Sequence, residues 1–161
     1  MLLKRKTSAE TLKLQEKYGV PYLVFPSLEN TGLVRHAFST RLGGCSTGDL
    51  ATMNLSSTRG DDPENVKENF RRFGAAVGFD PKDLVLSLQT HTTNVRLVTE
   101  EDRGKGFTRP RDYKDVDGLI TNVPGLVLAT FYADCVPLYF VDPVHRAIGL
   151  SHSGWRGTVG K

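Results

Sequence analysis

Cys135 and His152 bracket the part of the chain richest in reactive side chains. Tyr132-Ala133-Asp134-Cys135-Val136-Pro137 leads into an apolar run, and the run ends at Ser151-His152-Ser153-Gly154-Trp155-Arg156-Gly157. A second histidine, His91, sits in Gln89-Thr90-His91-Thr92-Thr93-Asn94. Thiolate and imidazole are the ligands that borderline and soft metals prefer. They are also the two halves of a cysteine nucleophile site. Each of the three residues follows a strand-length stretch, at the point where a sheet hands over to a loop and scaffolds commonly hold functional groups. His91, Cys135 and His152 are therefore candidate metal ligands, although their spacing matches no compact zinc-finger pattern. The plainer alternative stays open, because free cysteines are among the most buried residues and usually just pack. His36 alternates with apolar neighbours and reads as core. His145, in Asp142-Pro143-Val144-His145-Arg146, reads as a surface turn.

Arginines form a second constellation. Arg41 precedes Leu42-Gly43-Gly44-Cys45, Arg59 precedes Gly60-Asp61-Asp62, and Arg156 lies between Trp155 and Gly157. Guanidinium groups beside backbone amides exposed by glycine make a natural anion cradle. A solvated surface arginine is the alternative at each position. Asp117 and Asp134 lie near the cluster in sequence and are placed to orient a histidine, move a proton or cap a turn. Cys45, in the glycine loop, reads as a bystander.

The elements that must position these groups are mostly strands. Tyr22 to Phe25, Val34 to Thr40, Leu84 to Leu88, Val95 to Thr99, Leu126 to Phe131, Leu138 to Val141 and Ala147 to Leu150 have strand character, punctuated by proline and glycine. Asp61-Asp62-Pro63-Glu64 opens the clearest helix, with an acidic cap, proline in the first turn and Val66, Phe70, Phe73 and Val77 on one face. Residues Ala9 to Tyr18 fit a short polar helix. The charged stretch Glu101 to Lys114 reads as an exposed loop. Continuous apolarity in the strands predicts burial on both faces and a layered α/β fold.

The totals set the frame. One domain is expected over residues 1–161. Hydrophobic residues make up 39% and charged residues 24%, the balance of an ordinary globular chain. A formal net charge of +3 permits an anionic substrate, but without a basic run it gives no argument for nucleic acid. Two cysteines are too few for a disulfide scaffold, which points to a reducing, cytoplasmic setting. No stretch reaches the length of a membrane span. The last residues read as a loop entering a helix that does not follow, so the domain is expected to be incomplete at its C-terminus.

With these residues in place, the chain resembles a known family. Asp117-Gly118-Leu119, Asp134-Cys135-Val136-Pro137 and His152-Ser153-Gly154-Trp155-Arg156-Gly157 are similar to the signature of the YfiH, laccase-domain or polyphenol oxidase family. Gln89-Thr90-His91-Thr92 resembles its Gln-x-His-Gly element, with Thr92 where the family carries glycine. Phe38 to Ser46, Met53-Asn54-Leu55 and Arg59-Gly60-Asp61-Asp62 resemble its N-terminal stretches.

The resemblance implies an α/β/β/α layered sandwich with mixed sheets. It implies zinc held by His91, Cys135 and His152, with copper as the alternative that the older family name carries. It implies phosphorolysis of adenosine, inosine, guanosine or methylthioadenosine, together with deamination of adenosine. The partners are then a purine nucleoside and phosphate. Three protein ligands leave an open position, which is the catalytic rather than the structural pattern for zinc. The candidate catalytic residues are Asp134, Cys135 and Arg41. The candidate substrate-binding residues are Arg41, Gly43, Gly44, Asn54, Arg59, Gln89 and Arg156. Two other chemistries fit some of the residues: a cysteine hydrolase or amidase with Cys135 as nucleophile and His152 as its base, and a copper oxidase. Four histidines in the chain are few for a multicopper site.

Overall fold

The computed structural model describes residues 11–160. It shows a mixed α/β chain with three small sheets and few helices. The chain divides into two compact units. The first comprises residues up to Leu55 together with Asp61–Val77, and the second comprises Ser56–Gly60 together with the residues from Gly78 onward.

In the first unit, β1 (Lys13–Lys17) and β2 (Val20–Val24) form an antiparallel hairpin, and β3 (Phe38–Ser39) pairs with β2. The described part of the expected helix at Ala9 to Tyr18 is thus a strand; residues 9–10 lie outside the described residues. The reason is the turn. Tyr18 and Gly19 both take positive φ, 54° and 73°, as a two-residue hairpin turn with the twist of the flanking strands demands. Pairing with the buried β2 then overrides a weak helical pattern. A short helix, α1 (Pro26–Glu29), follows.

The main helix, α2 (Pro63–Val77), starts where the sequence predicts. Asp62 Oδ1 caps it by accepting from Glu64 N at 2.9 Å. Val20, Tyr22, Val24, Met53 and Ala76 form the core of this unit, with Phe73 and Val77 packed against it. Val34 to Thr40 is strand only at Phe38–Ser39. His36 lies outside β3, and its Nε2 accepts from Phe25 N at 2.7 Å.

The second unit holds two sheets. One pairs β4 (Leu84–Leu86) in parallel with β7 (Val127–Ala129). The other is mixed, in the order β5-β6-β9-β8: β5 (Val95–Leu97), β6 (Gly118–Thr121), β9 (Ala147–Ser153) and β8 (Val136–Asp142). β5 runs parallel to β6, while β6 and β8 are antiparallel to β9. Val85, Val98, Val116, Leu119 and Leu126 form the core here.

The expectation of burial on both faces fails for this mixed sheet. Register places Leu97, Ile120 and Phe140 on one face, and these side chains, with Val95, Val136 and Leu138, stay exposed. Nor is residues 101–114 an exposed loop. Asp102 and Lys105 are buried. Lys105 Nζ bridges Asp102 Oδ1 (2.7 Å) and Asp112 Oδ2 (2.8 Å), and Arg96 reaches Asp102 Oδ1 at 2.9 Å. Charges that pair with one another can be buried, and composition alone does not reveal the pairing. No helix among the described residues is long and apolar enough to cross a membrane.

Candidate metal centre

All parts of the candidate centre belong to the second unit. His91 lies just beyond β4, on the loop toward β5. Cys135 immediately precedes β8. His152 is the penultimate residue of β9. β8 and β9 are register-paired, Pro137 opposite His152 and Val136 opposite Ser153, so the ladder itself brings Cys135 beside the end of β9. One ligand atom from each of His91, Cys135 and His152 lies within 4.8 Å of the others. Cys135 Sγ is 3.5 Å from His91 Nε2, and the two imidazole rings meet edge to face with centroids 4.6 Å apart. Two imidazole nitrogens and one sulfur fit zinc or copper, and the group could hold either.

Asp117, the residue before β6, bonds to both histidine segments. Its Oδ1 accepts from His91 N (2.9 Å) and lies 2.8 Å from His152 Nδ1. Its Oδ2 accepts from Thr90 N (3.0 Å), Thr92 N (2.9 Å) and the Thr92 hydroxyl (2.9 Å). Its main-chain oxygen accepts from His152 N at 2.8 Å. Burial alone would push the Asp117 carboxyl up. The N–H groups of Thr92 and Thr90, the His152 ring and the Thr92 hydroxyl outweigh that and hold it down at about 2. The arrangement also explains the threonine at position 92, since both its hydroxyl and its amide serve the same carboxylate. His91 takes a positive φ of 64°, uncommon outside glycine.

The walls of the centre are tight. A Cβ on Gly154 would stand 2.9 Å from His91 Cδ2 and 3.5 Å from Cys135 Sγ. Gly154 precedes α3 (Trp155–Val159), a short helix on which Trp155 and Arg156 are exposed and the guanidinium lies 5.4 Å from the indole centroid. The Tyr132 ring leans on His152 at 5.7 Å. Its hydroxyl bonds to Ser151 O and meets the Thr130 hydroxyl. The His152 side chain is only 5% exposed, whereas His91 opens to solvent. Asp134 is exposed beside Cys135, its Oδ1 3.8 Å from the sulfur. Burial first, then the Asp134 charge, pushes the Cys135 thiol up. A cysteine nucleophile needs the opposite shift.

The remaining candidates are accounted for as follows. Gln89 spends its side-chain amide on the backbone of Phe131, with Nε2 donating at 2.6 Å and Oε1 accepting at 2.8 Å. Arg59 is exposed in the second unit. In the first unit, Arg41 donates to Asp49 O (2.8 Å) and Ala51 O (3.0 Å). Gly44 N donates to Thr52 Oγ1 at 3.2 Å, and Asn54 Nδ2 to Asp61 Oδ2 at 2.9 Å. Gly43 has φ +88°, and a Cβ there would stand 2.6 Å from Gly19 O. Gly43 is required by its close approach to the β1–β2 turn, and Gly44 by its close approach to the Thr52 backbone. His145 Nδ1 lies 2.6 Å from Asp142 Oδ2 in an exposed turn, as expected. Gly154, Tyr132 and the threonines flanking His91 escape sequence reasoning, since only the folded register brings them together.

A metal-compatible His-Cys-His cluster at the ends of strands in a mixed α/β fold defines a class of proteins, and comparisons identify it. The family described as multi-copper polyphenol oxidoreductase laccase matches residues 35–161, and the chain belongs to this YfiH or laccase-domain family. It is 41% identical over 143 residues to a purine nucleoside phosphorylase of Deinococcus radiodurans, covering 89% of this chain and 51% of the relative. Among solved structures, it resembles the YfiH hypothetical protein of Bacillus licheniformis with a TM-score of 0.80 and 33% identity, covering 90% of this chain and 53% of that one. It resembles YlmD of Geobacillus stearothermophilus with a TM-score of 0.78 and 35% identity, covering 94% and 55%. The chain thus spans about half the length of the relatives it matches.

Proposed function

We propose that this chain carries the metal-holding part of a purine nucleoside phosphorylase that also deaminates adenosine. The observation that carries the reading is the convergence of His91, Cys135 and His152 within 4.8 Å, in a family whose Deinococcus relative bears that name. In phosphorolysis a phosphate oxygen bonds to C1′ of the sugar. The C1′–N9 bond breaks, its electron pair leaves with the purine, the purine takes up the proton that the hydrogen phosphate gives up, and the products are the free base and a sugar 1-phosphate. In deamination a water oxygen adds to C6 of adenine and ammonia leaves. A zinc ion held by the three side chains would supply Lewis acidity beside the purine.

The residues of the chain supply the rest. Asp134, exposed beside Cys135, takes up the proton that the attacking water gives up and returns it to the departing ammonia. Arg59 and Arg156, both exposed in the unit that holds the metal group, are the proposed phosphate-binding cations. Gln89 acts by holding Phe131, and with it the start of the loop that carries Cys135. A multicopper oxidase would need more imidazoles than the site has. His36 is taken up by Phe25 N and His145 by Asp142, leaving two histidines at the centre.

The test is elemental analysis of the purified chain, followed by assays on adenosine with phosphate before and after chelation. Stoichiometric zinc with chelation-sensitive release of adenine, hypoxanthine or inosine is the expected result. Metal-loaded protein that leaves adenosine untouched overturns it.

A further inference from the structure

We infer that Asp117 is the positioning residue of the centre: one carboxylate fixes the conformation of the His91 loop and the tautomer of His152, so the ligand set is assembled before any cation arrives. This rests on the reading of His91, Cys135 and His152 as metal ligands. The geometry has two halves. On one side, three successive backbone N–H groups, of Thr90, His91 and Thr92, converge on the two Asp117 oxygens. Such a turn pays the conformational penalty of a left-handed His91 only while an acceptor sits in its concavity. On the other side, His152 Nδ1 lies 2.8 Å from Asp117 Oδ1, and the side chain is almost fully buried. An ionised carboxylate can only accept, so Nδ1 carries the proton and Nε2 keeps its lone pair for the cluster. The His152 backbone N–H, bonded to Asp117 O, ties β9 to the same residue.

An amide cannot replace this carboxylate. In Asp117→Asn, an amide nitrogen at the Oδ2 position faces the N–H groups of Thr90 and Thr92. At the Oδ1 position it faces His91 N–H and donates to His152 Nδ1, which forces the proton onto Nε2 and removes the ligand lone pair. Either choice disables one half of the arrangement while the side-chain volume is unchanged.

The experiment needs no nucleoside. Zinc ion is titrated into metal-free wild type and D117N against a chromophoric chelator, and the His152 tautomer is read by two-bond ¹H–¹⁵N correlation. The metal-free wild type is expected to show the Nδ1–H tautomer, and D117N to bind zinc 10- to 100-fold more weakly. A purely structural role would lower the melting temperature of D117N but leave the affinity of its folded fraction and the tautomer unchanged, and that result overturns the inference. If D117N does not fold, the wild-type tautomer decides, because an Nε2–H form of His152 is incompatible with the proposal. A folded wild type with no zinc affinity would instead refute the ligand reading itself.

Discussion

Gln89 and Phe131 are joined as neighbours in a strand ladder are joined, except that one partner is a side chain. The carboxamide of Gln89 satisfies both the N–H and the C=O of Phe131, and its Oε1 also accepts from the Ser87 hydroxyl at 2.8 Å. This stitches the segment before His91 to the segment before Cys135. Gln89→Ala removes both bonds and leaves the Phe131 backbone groups to find other partners. We expect a loss of about 1–3 kcal/mol in unfolding free energy by urea titration, with a weaker fall in zinc affinity than ligand replacement gives. A variant of unchanged stability but reduced nucleoside binding would show that Gln89 contacts substrate instead.

Gly154→Ala should behave in the opposite way. The backbone at Gly154, φ −87° and ψ 151°, suits any residue, so the substitution adds no backbone strain. The new methyl would meet the exposed His91 ring, which can swing outward at little cost. Stability of the metal-free chain is expected to stay within about 0.5 kcal/mol, as for ordinary surface substitutions. Zinc affinity should fall at least tenfold, because His91 leaves the group. Chelator competition and thermal melts on the same samples separate the two effects.

The features legible in the sequence share a cause: each is local. The α2 start shows in Asp62-Pro63-Glu64, and the candidate ligands show as reactive residues at the ends of apolar runs. What depends on distant partners does not show. β1 has a helix-compatible sequence, yet the Tyr18-Gly19 turn folds it against β2. The apolar residues of β8 announce a strand but not which of its faces is covered. Arg96, Asp102, Lys105 and Asp112 look like a solvated charge run until their pairing is seen. Asp117 is legible in the sequence as a carboxylate placed to orient a histidine, but its grip on two segments exists only in the fold.

Asp102 gives this unit an acid limit. Burial alone would raise its carboxyl, but bonds from Lys105, Thr99 N and Arg96 outweigh that and hold it at about 2. A folded-state value below the unfolded one means that the folded chain binds the proton less readily. The contribution to stability is therefore fully present above the unfolded value near 4 and is lost as pH falls through the folded value near 2. Denaturant midpoints measured from pH 6 to pH 2 should decline most steeply between about 4 and 2. Asp102→Asn should lower stability at pH 6 and flatten that decline. An equally steep decline in the variant would assign the acid limit to other carboxylates, with Asp117 the first to test because it is also held at about 2.

The glycine loop of the first unit offers a direct contrast between packing and hydrogen bonding. A Cβ on Gly44 would stand 2.1 Å from Thr52 O, 2.5 Å from Thr52 C and 2.6 Å from the buried Asn69 Oδ1. Backbone atoms cannot yield as a side chain does, so Gly44→Ala should destabilise the chain by about 3 kcal/mol, the upper end of the usual range for overpacking. Arg41 lies in the same loop but is exposed, and among the described residues its guanidinium bonds to the carbonyls of Asp49 and Ala51. Arg41→Ala should cost less than about 1.5 kcal/mol, the net worth of ordinary hydrogen bonds. Urea titration of both variants reads the contrast, and a loss in Arg41→Ala as large as that in Gly44→Ala would assign the guanidinium a packing role in the loop.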